Sequence, residues 1–350
     1  MTKKHITLLF GGRSTEHIIS CKSAKTVMDN IDREKYQLNL IGITEEGAWY
    51  LYRGDTELIP TDAWKDSPLC APVTIKLGSG QSGLFYEENG ADHPIPTDVF
   101  FPVLHGKFGE DGTIQGLFEM LGVPYVGCGV ASSSSSMDKS FTKRLVEGTG
   151  IKQARYVLVD RHNARDLDAV VRESVETLGF PMFVKPCSSG SSIGISKAKN
   201  EDELRAGIIE ALRHDGRVLV EEFIRARELE CAVVDLVDTL AAEVGEVISA
   251  DEFYDFDSKY NNAASVTSTR PDIPEALERQ IQESAKTIFR TLDCKSLSRV
   301  DFFLDLDTGD LIFNEINTLP GFTNISMYPM LAKKHGFDLP DLIDRLIESV

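Results

Sequence analysis

Paired cysteines, long apolar runs and an excess of basic residues are all missing from this sequence, and each absence excludes a class of protein. The six cysteines are scattered, with no CxxC pair and no clustered histidine. We therefore do not expect a zinc site or a disulfide framework, and reduced thiols fit better. Lys and Arg number 37 against 55 Asp and Glu, which gives a net charge of −18. That charge argues against general binding to nucleic acid or to an anionic membrane, since both need basic surface.

Apolar runs are short throughout the chain. The run at 6–10 is too short for the apolar part of a signal peptide. Asp235 and Asp238 interrupt the best candidate for a membrane span, which needs about 18 apolar residues. We therefore expect a cytoplasmic protein without a membrane partner. A length of 350 residues, 42% of them hydrophobic and 26% charged, predicts a globular protein of two or three domains.

Predicted strands and helices alternate along the chain, which indicates an α/β fold. Strands are predicted over the apolar segments 5–10, 36–43, 99–104, 156–159, 182–185, 193–197, 218–222, 229–234 and 243–248. Helices follow the first and third of these, so we expect a parallel sheet in the N-terminal part, with functional loops at the carboxyl ends of its strands. A helix over 275–292 and a hairpin over 297–317 are predicted near the end of the chain.

A low-complexity patch, the serine run 132–136, follows the N-terminal part. We interpret this run as a hinge. Asp138 comes just after it and is a good N-cap residue, so a helix is predicted to begin there.

A loop rich in serine and glycine, KPCSSGSSIG at 185–194, lies between two predicted strands. Small residues let backbone N–H groups approach a phosphate, and hydroxyls add donors. The lysine precedes the glycines and no GK[ST] closes the loop, so it is not a Walker A motif. The flanking strands suggest that the loop is a β-hairpin flap that folds over a nucleotide. Its composition is equally compatible with a surface turn that has no function. Any one lysine is more often a solvated surface charge, which is the plain interpretation of Lys139 and Lys259. Lys185 differs from them because it follows an apolar strand at the base of the flap.

Carboxylates and an amide gather on the predicted hairpin near the C-terminus. A side-chain period of two predicts one polar face on each strand, formed by Arg299, Asp301 and Phe303 on the first and by Phe313, Glu315 and Asn317 on the second. Oxygen ligands in this arrangement suit one or two Mg²⁺ ions shared with phosphates. The alternative is a solvated polar face, but the opposite face of the first strand is apolar.

Two polar loops follow predicted strands, GGRSTEH at 11–17 and HGKFGEDG at 105–112. The first is not GxGxxG, so a dinucleotide-binding dehydrogenase is a poor match. Glu16 at a helix start either complements the helix dipole or binds a substrate ammonium group. His105 is either a satisfied hydrogen-bonding residue or part of a site. Together with the flap and the hairpin, these loops describe an ATP-using enzyme that activates a carboxylate.

Seven ordered blocks of sequence also carry a resemblance to a known family. They are LLFGGRSTEHIISCKSA, FPVLHGKFGEDGTIQGLFEMLGVPYVGCGV, MDKSFTKRL, FVKPCSSGSSIGISK, VLVEEFIRARELECAV, EFYDFDSKY, and SRVDFFL with FNEINTLPGFTNISMYP. Over nearly the whole chain they resemble the D-alanine–D-alanine ligases of the ATP-grasp superfamily. The resemblance implies a three-domain α/β ligase: a substrate domain over 1–127, a central ATP-grasp domain with the flap over 128–223, and a C-terminal domain with a metal site and a mobile lid over 224–350.

The resemblance also implies roles for individual residues. ATP would be contacted at its phosphates by Lys139 and Lys185, at its adenine by Glu221, Glu222, Phe223 and Ile224, and at its ribose by Glu228. Further ATP contacts would come from Ser191 and Ser192 on the flap and from Phe303, Asn314 and Glu315. Two Mg²⁺ (or Mn²⁺) ions would be bound by Asp301, Glu315 and Asn317. The catalytic residues would be Glu16, His105, Ser191, Lys259, Tyr260 and Arg299. The two D-alanines would contact Glu16, His105, Gly321, Ser326 and Met327.

The implied reaction joins two D-alanines through an acyl phosphate for peptidoglycan synthesis, and the family implies a homodimer. Glu16 would bind the first ammonium group, and Arg299 with the backbone at Gly321 would stabilise the oxyanion. Ser326 would bind the second carboxylate. A ligase that takes D-serine as second substrate and a non-catalytic nucleotide-binding regulator remain as alternatives.

Overall fold

The computed structural model describes residues 3–350 apart from 79, 81, 189, 191–192, 249–265 and 324. Its N-terminal sheet is built from strands β1 Lys4–Gly11, β2 Tyr36–Ile43, β3 Trp49–Tyr52, β4 Cys70–Lys76, β5 Gly83–Glu88, β6 Ala91–Pro94 and β7 Val99–Pro102. They lie in the order β6-β5-β4-β3-β2-β1-β7. The predicted parallel pairing is confirmed for β1 with β2 and with β7. From β2 to β6, neighbouring strands pair antiparallel, an extension that was not predicted.

Helices cover the N-terminal sheet and lead into the central part. They are α1 His17–Asn30, α2 Thr113–Leu121, α3 Val130–Met137 and α4 Lys139–Glu147. Asp138 caps α4 as predicted, because its side chain accepts hydrogen bonds from the backbone N–H groups of Ser140 and Phe141.

The predicted hinge at the serine run is wrong, since these residues form α3. The hydroxyl of Ser133 donates to Cys128 O at 3.3 Å, and that of Ser135 donates to Ala131 O at 2.8 Å. Serine hydroxyls often compete with helical hydrogen bonding. Here they bond to carbonyls at and just before the start of the helix, and Ser132, Ser133 and Ser136 are buried.

The central sheet consists of β8 Tyr156–Asp160, β9 Met182–Pro186, β10 Ser196–Ala198 and β11 Arg217–Glu222, in the order β10-β9-β11-β8. Helices α5 Leu167–Leu178 and α6 Glu201–His214 pack on it. β9 and β10 pair antiparallel, with Val184 opposite Ser196. The serine- and glycine-rich segment is therefore the connection of a β-hairpin, as predicted.

The third sheet carries the predicted metal residues. It consists of β12 Ala226–Asp235, β13 Thr239–Ile248, β14 Val266–Ser268, β15 Leu297–Asp305 and β16 Leu311–Asn317, in the order β14-β13-β12-β15-β16. Helix α7 Glu275–Thr291 packs on this sheet through an apolar stripe at helical spacing, formed by Ile281, Ala285, Ile288 and Phe289. None of the helices in the described part of the chain is long and apolar enough to span a membrane.

A β-bulge corrects one face of the predicted hairpin. Asp301 lies opposite Glu315, but Phe302 lies opposite Phe313, so Asn314 is the extra residue. Phe313 therefore packs edge-on against Phe302 in the core, with ring centroids 6.1 Å apart. Phe313 does not share the polar face of Glu315, contrary to the strict alternation that was predicted.

The closing helices, α8 Met327–His335 and α9 Leu339–Glu348, return to the N-terminal sheet. Residues of β1 and of α9 share one hydrophobic core. The Tyr36 hydroxyl oxygen lies 2.7 Å from Asp344 Oδ1 and 2.9 Å from Glu348 Oε1, so its one proton is shared between the two carboxylates. Between β16 and α8, Leu319 O lies 3.0 Å from His105 Nδ1 and the Phe322 N–H donates to Ser23 Oγ at 3.3 Å, so this segment also contacts the N-terminal part.

Candidate active site

A guanidinium group on β15 is clamped between two carboxylates. Arg299 donates from Nε to Asp301 Oδ1 at 2.8 Å and from Nη2 to Asp301 Oδ2 at 2.7 Å. Its Nε also lies 3.2 Å from Glu230 Oε2 on the neighbouring strand β12. Burial alone would lower the pKa of Arg299, but Asp301 and Glu230 raise it well above its ordinary value. Arg299 is therefore a fixed, permanently charged donor.

The predicted metal residues lie together on β15 and β16. The register places Asp301 opposite Glu315 and Arg299 opposite Asn317. The Asn317 amide nitrogen donates to Asp301 Oδ2 at 3.0 Å, which leaves the amide oxygen as the atom able to bind a cation. Two carboxylates and an amide oxygen on adjacent strands are the hard ligands that a divalent ion prefers. The donor set therefore fits the ion that the sequence predicts.

Lys139 connects the central part of the chain to these carboxylates. Its Nζ lies 3.2 Å from Glu315 Oε2, and its backbone N–H donates to Cys187 O at the flap base at 2.9 Å. Burial alone would lower the pKa of the Lys139 ammonium, but Glu315 outweighs it and the pKa is raised. Lys139 is thus a charged group between the flap and the metal residues, where a phosphate chain would need neutralising.

Asp138 holds the same helix start against the flap base. Its Oδ2 accepts a hydrogen bond from the Ser188 hydroxyl at 3.1 Å and pairs with the Arg217 guanidinium. Its Oδ1 caps α4. The helix that carries Lys139 and the base of the flap are therefore tied to one carboxylate.

A second buried ion cluster surrounds Lys185. Glu221 Oε2 lies 2.6 Å from Lys185 Nζ, and Glu221 Oε1 lies 2.8 Å from Lys143 Nζ. Burial would raise the pKa of Glu221, but the two lysines outweigh it and lower the pKa to about 2. Glu221, predicted to frame adenine, thus uses its carboxylate to hold the predicted phosphate lysine Lys185.

Other residues of the predicted adenine and ribose site line the neighbouring strand ends. The Glu222 carboxylate accepts from Arg155 Nε at 2.7 Å, and the Phe223 ring lies 3.9 Å from Lys197 Nζ. Glu228 on β12 lies opposite Phe303 on the adjacent strand β15. These two and the remaining members, Ile224 and Asn314, are half-buried.

Glu16 lies where two loops meet. It comes directly before α1 and makes no capping hydrogen bond to that helix with its side chain. A Cβ atom at Gly106 would lie 2.6 Å from Glu16 Oε2, and one at Gly190 would lie 3.1 Å from it. The absence of side chains at these two glycines leaves room for the Glu16 carboxylate beside the flap and the loop after β7.

A histidine fixes the loop before Glu16. His17 Nδ1 is 2.9 Å from Gly12 O, and His17 Nε2 is 2.9 Å from Asp62 Oδ1. With Cys21 these two side chains form the one grouping of three or more His, Cys, Asp or Glu residues in the described part of the chain whose ligand atoms all lie within 4.8 Å of one another. Burial raises the pKa of the Cys21 thiol to about 12, and Lys65 already pairs with Asp62. The group therefore acts as packing around the loop.

His105 is buried, and both its ring nitrogens are engaged. Nδ1 is 3.0 Å from Leu319 O, and Nε2 is 3.1 Å from Ser23 Oγ. Glu110 Oε1 lies 4.0 Å from Nδ1. Burial would lower the pKa of His105, but Glu110 and Glu16 outweigh it and raise the pKa. The ring contacts the 319–322 segment rather than standing free.

The predicted site of the second substrate lies at the start of α8. A Cβ at Gly321 would lie 2.8 Å from Ser326 Oγ, and Ser326 Oγ lies 2.8 Å from Thr323 Oγ1. The Met327 side chain is buried in the core against Gly245. Met327 can therefore offer only its backbone to a substrate. Four other predicted site residues lie outside the described part of the chain: Ser191, Ser192, Lys259 and Tyr260.

Several charged members of the site were not predicted. They are Glu110, Asp138 as a flap anchor, Lys143 and Glu230. One signal was available for Glu230, because Glu228 and Glu230 alternate on β12 and lie opposite Phe303 and Asp301. Lys143 follows Lys139 by one helical turn on α4, which places both lysines on the same face.

Replacing Arg299 by lysine is expected to lower kcat about tenfold to a hundredfold while the thermal midpoint changes little, because lysine keeps the charge but loses the planar donor fork. Arg227→Lys is the matched control, since Arg227 pairs bidentately with Glu246 at 2.6 and 2.8 Å outside the predicted site. Steady-state kinetics and a thermal melt of both variants decide the matter. An equal loss of kcat in the two variants would contradict a catalytic role for Arg299.

The chain matches two family models that together cover most of it. The model described as "D-ala D-ala ligase N-terminus" matches residues 5–128, and the one described as "D-ala D-ala ligase C-terminus" matches residues 145–348. A D-alanine–D-alanine ligase of Acetivibrio thermocellus is 44% identical over 360 residues, covering 99% of this chain and 95% of the relative. One of Clostridium acetobutylicum is 45% identical over 347 residues, covering 99% and 97%.

Solved structures agree with these matches. The VanG D-Ala:D-Ser ligase from Enterococcus faecalis aligns with a TM-score of 0.90 and 39% identity, covering 99% of each chain. The D-alanine–D-alanine ligase from Coxiella burnetii aligns with a TM-score of 0.86 and 35% identity, covering 100% of this chain and 94% of the other. With two family models and full-length relatives in agreement, the chain belongs to the D-alanine–D-alanine ligase family.

Proposed function

We propose that this chain joins two D-alanines into D-alanyl-D-alanine at the expense of ATP, for peptidoglycan precursor synthesis. The observation that carries the proposal is the Lys139–Glu315 contact of 3.2 Å. It joins a predicted phosphate lysine to a predicted metal carboxylate, next to the Arg299 clamp. An enzyme that activates a carboxylate with ATP needs these groups in one place.

In the first step, a carboxylate oxygen of the first D-alanine attacks the γ-phosphorus of ATP, and ADP leaves. Lys139 and Lys185 neutralise the phosphate oxygens, and Glu16 holds the substrate ammonium group, so positioning and charge supply most of the catalysis. Asp301, Glu315 and Asn317 would hold the divalent metal, proposed as two Mg²⁺ (or Mn²⁺) ions. A bound metal supplies further neutralisation of phosphate charge.

In the second step, the amine of the second D-alanine attacks the acyl phosphate carbon, and inorganic phosphate leaves. A tetrahedral oxyanion forms on the way and needs fixed donors. Arg299 and the backbone N–H of Gly321 would supply them, and Ser326 would hold the carboxylate of the incoming D-alanine. The pairing of Arg299 with Asp301 and Glu230 supports this role, because it keeps the guanidinium from moving.

A different second substrate, D-serine, is the second candidate. The observation in its favour is the alignment with the VanG D-Ala:D-Ser ligase at a TM-score of 0.90. The two candidates share the first step and differ only in the amine that attacks the acyl phosphate. We further propose a cytoplasmic homodimer without a nucleic-acid or membrane partner, as the family resemblance implies.

ADP release is expected only when ATP, a divalent metal and D-alanine are present together, since the first carboxylate must be phosphorylated before ADP leaves. L-Alanine should not replace D-alanine. A coupled ADP assay across D-alanine, L-alanine and D-serine, with products separated by mass spectrometry, tests both candidates. Equal turnover with L-alanine contradicts the proposal, and a mixed D-Ala-D-Ser product formed faster than the D-Ala dipeptide would favour the second candidate.

A further inference from the structure

Ser23 on α1 has no part in the proposed reaction, yet it lies between His105, a predicted site residue, and the backbone next to Gly321. It is fully buried in the helix that Glu16 precedes. The backbone N–H of Phe322 donates to Ser23 Oγ at 3.3 Å, and Ser23 Oγ lies 3.1 Å from His105 Nε2. A hydroxyl of the N-terminal part is therefore bonded to the backbone next to Gly321.

The hydrogen bonds of this group form a closed chain. In the neutral ring with its proton on Nδ1, His105 donates to Leu319 O and accepts at Nε2 from the Ser23 hydroxyl; in the protonated ring Nε2 instead donates to Ser23 Oγ. In both forms His105 bridges Leu319 O and Ser23 Oγ, which also accepts from Phe322 N–H, and all the participants are buried. Buried polar groups that are fully paired hold a single geometry, because breaking one bond leaves a group unsatisfied.

The two hydrogen-bonded peptide units lie on either side of the peptide unit that carries the Gly321 N–H. Leu319 C=O belongs to the peptide before Pro320, and Phe322 N–H belongs to the peptide after Gly321. The Gly321 N–H, proposed as an oxyanion donor, belongs to the peptide between them. The Phe322 ring also packs edge-on against Phe101 at 6.4 Å. Fixing both neighbours fixes the orientation of the middle peptide unit.

We propose that Ser23, acting through His105 and Phe322, is a positioning residue that orients the Gly321 N–H for the second step of the reaction. This inference rests on the proposed function. According to this proposal, helix α1 contributes to both steps: Glu16 directly precedes it, and Ser23 on it helps to orient the oxyanion donor. The first step needs no oxyanion donor at Gly321 and should not depend on Ser23.

The test separates the two steps in Ser23→Ala. Positional isotope exchange in β,γ-labelled ATP with D-alanine reports reversible acyl phosphate formation, and dipeptide formation reports the second step. We expect exchange within about twofold of wild type and a kcat for dipeptide lower by about tenfold to a hundredfold. The Gly321 N–H would be displaced and not lost, and a displacement of about 1 Å can cost about a hundredfold, whereas losing an oxyanion donor costs about a hundredfold to a thousandfold. The KM values for ATP and for the first D-alanine should stay close to those of wild type.

Ser174→Ala is the matched control, because Ser174 is equally buried and its hydroxyl donates to Val170 O at 2.8 Å within α5. It should leave both steps unchanged. Should Ser23→Ala fold poorly, Ser23→Cys keeps the size of the side chain and weakens its hydrogen bonds, so it carries the same test. Equal losses in exchange and dipeptide, or no loss in either, overturn the inference. A wild-type protein inactive with D-alanine instead overturns the proposed function.

Discussion

Glu315→Gln is expected to lower kcat by at least about a hundredfold while the fold persists, since it removes the charge of a proposed metal ligand beside the proposed phosphate site. Glu315 lies opposite Asp301 in the register and 3.2 Å from Lys139 Nζ. Glutamine keeps the shape and one oxygen but removes the negative charge. The variant should bind the divalent ion more weakly, so a higher metal concentration should restore part of the rate.

The measurement is kcat as a function of metal concentration, together with a thermal melt. Glu243→Gln is the matched control, because Glu243 lies in the same sheet and pairs with Lys334 at 3.1 Å, outside the predicted site. That control should retain its kcat. Near-normal turnover of Glu315→Gln at a modest metal concentration would show that Glu315 is not a ligand.

The hairpin that carries Glu315 shows how far periodicity alone reaches. The alternation of β15 places Arg299 and Asp301 on one polar face, and the turn brings Glu315 opposite Asp301, as predicted. The bulge at Asn314 was not predicted. Which strand takes an extra residue depends on how Phe313 packs on Phe302 in the core, and a period of two contains no information about that contact.

The N-terminal sheet shows a second limit. Its parallel part was predicted from long apolar strands joined by helices. The antiparallel extension over β3 to β6 consists of shorter strands with mixed polarity, for example β6 with the sequence ADHP. Such segments gain their strand conformation from the neighbouring strand and carry little local signal. The serine run failed for a related reason, because burial against neighbouring elements outweighed its weak helix propensity.

The ion pairs of the site were less predictable from the sequence than the strands and helices. Lys143 and Glu221 form an ion pair although they are 78 positions apart in the chain. Glu230 on β12 forms an ion pair with Arg299 on the adjacent strand β15. Charged residues are usually exposed, so their types give no reason to expect burial. Only the folded arrangement shows which of them are buried together, and family resemblance supplied the catalytic roles without these supporting partners.

Glu221→Gln is expected to lower the free energy of unfolding of the central part by about 3 kcal/mol at pH 7, because it leaves two buried lysines without their counter-charge. Glu221 is 5% exposed and contacts Lys185 and Lys143 at 2.6 and 2.8 Å. The KM for ATP should rise as well, since Lys185 loses the group that holds it. At the adjacent position Glu222→Gln is the control for the free energy of unfolding only, since Glu222 is itself a predicted ATP contact. It loses a pair with the exposed Arg155, which is worth about 1 kcal/mol or less.

The pH dependence distinguishes this ion cluster from simple packing. The pKa of Glu221 is lowered from 4.5 to about 2 in the folded protein, so the unfolded chain binds the proton first as the pH falls. Its contribution is therefore complete above about pH 4.5 and is lost progressively between there and about pH 2. The difference in unfolding free energy between wild type and Glu221→Gln should be constant from neutral pH down to that range and should then shrink. Both tryptophans, Trp49 and Trp64, lie in the N-terminal part, so amide hydrogen exchange in β9 and β11 is the appropriate measurement. A difference that does not change with pH would mean that Glu221 stabilises the sheet by packing alone.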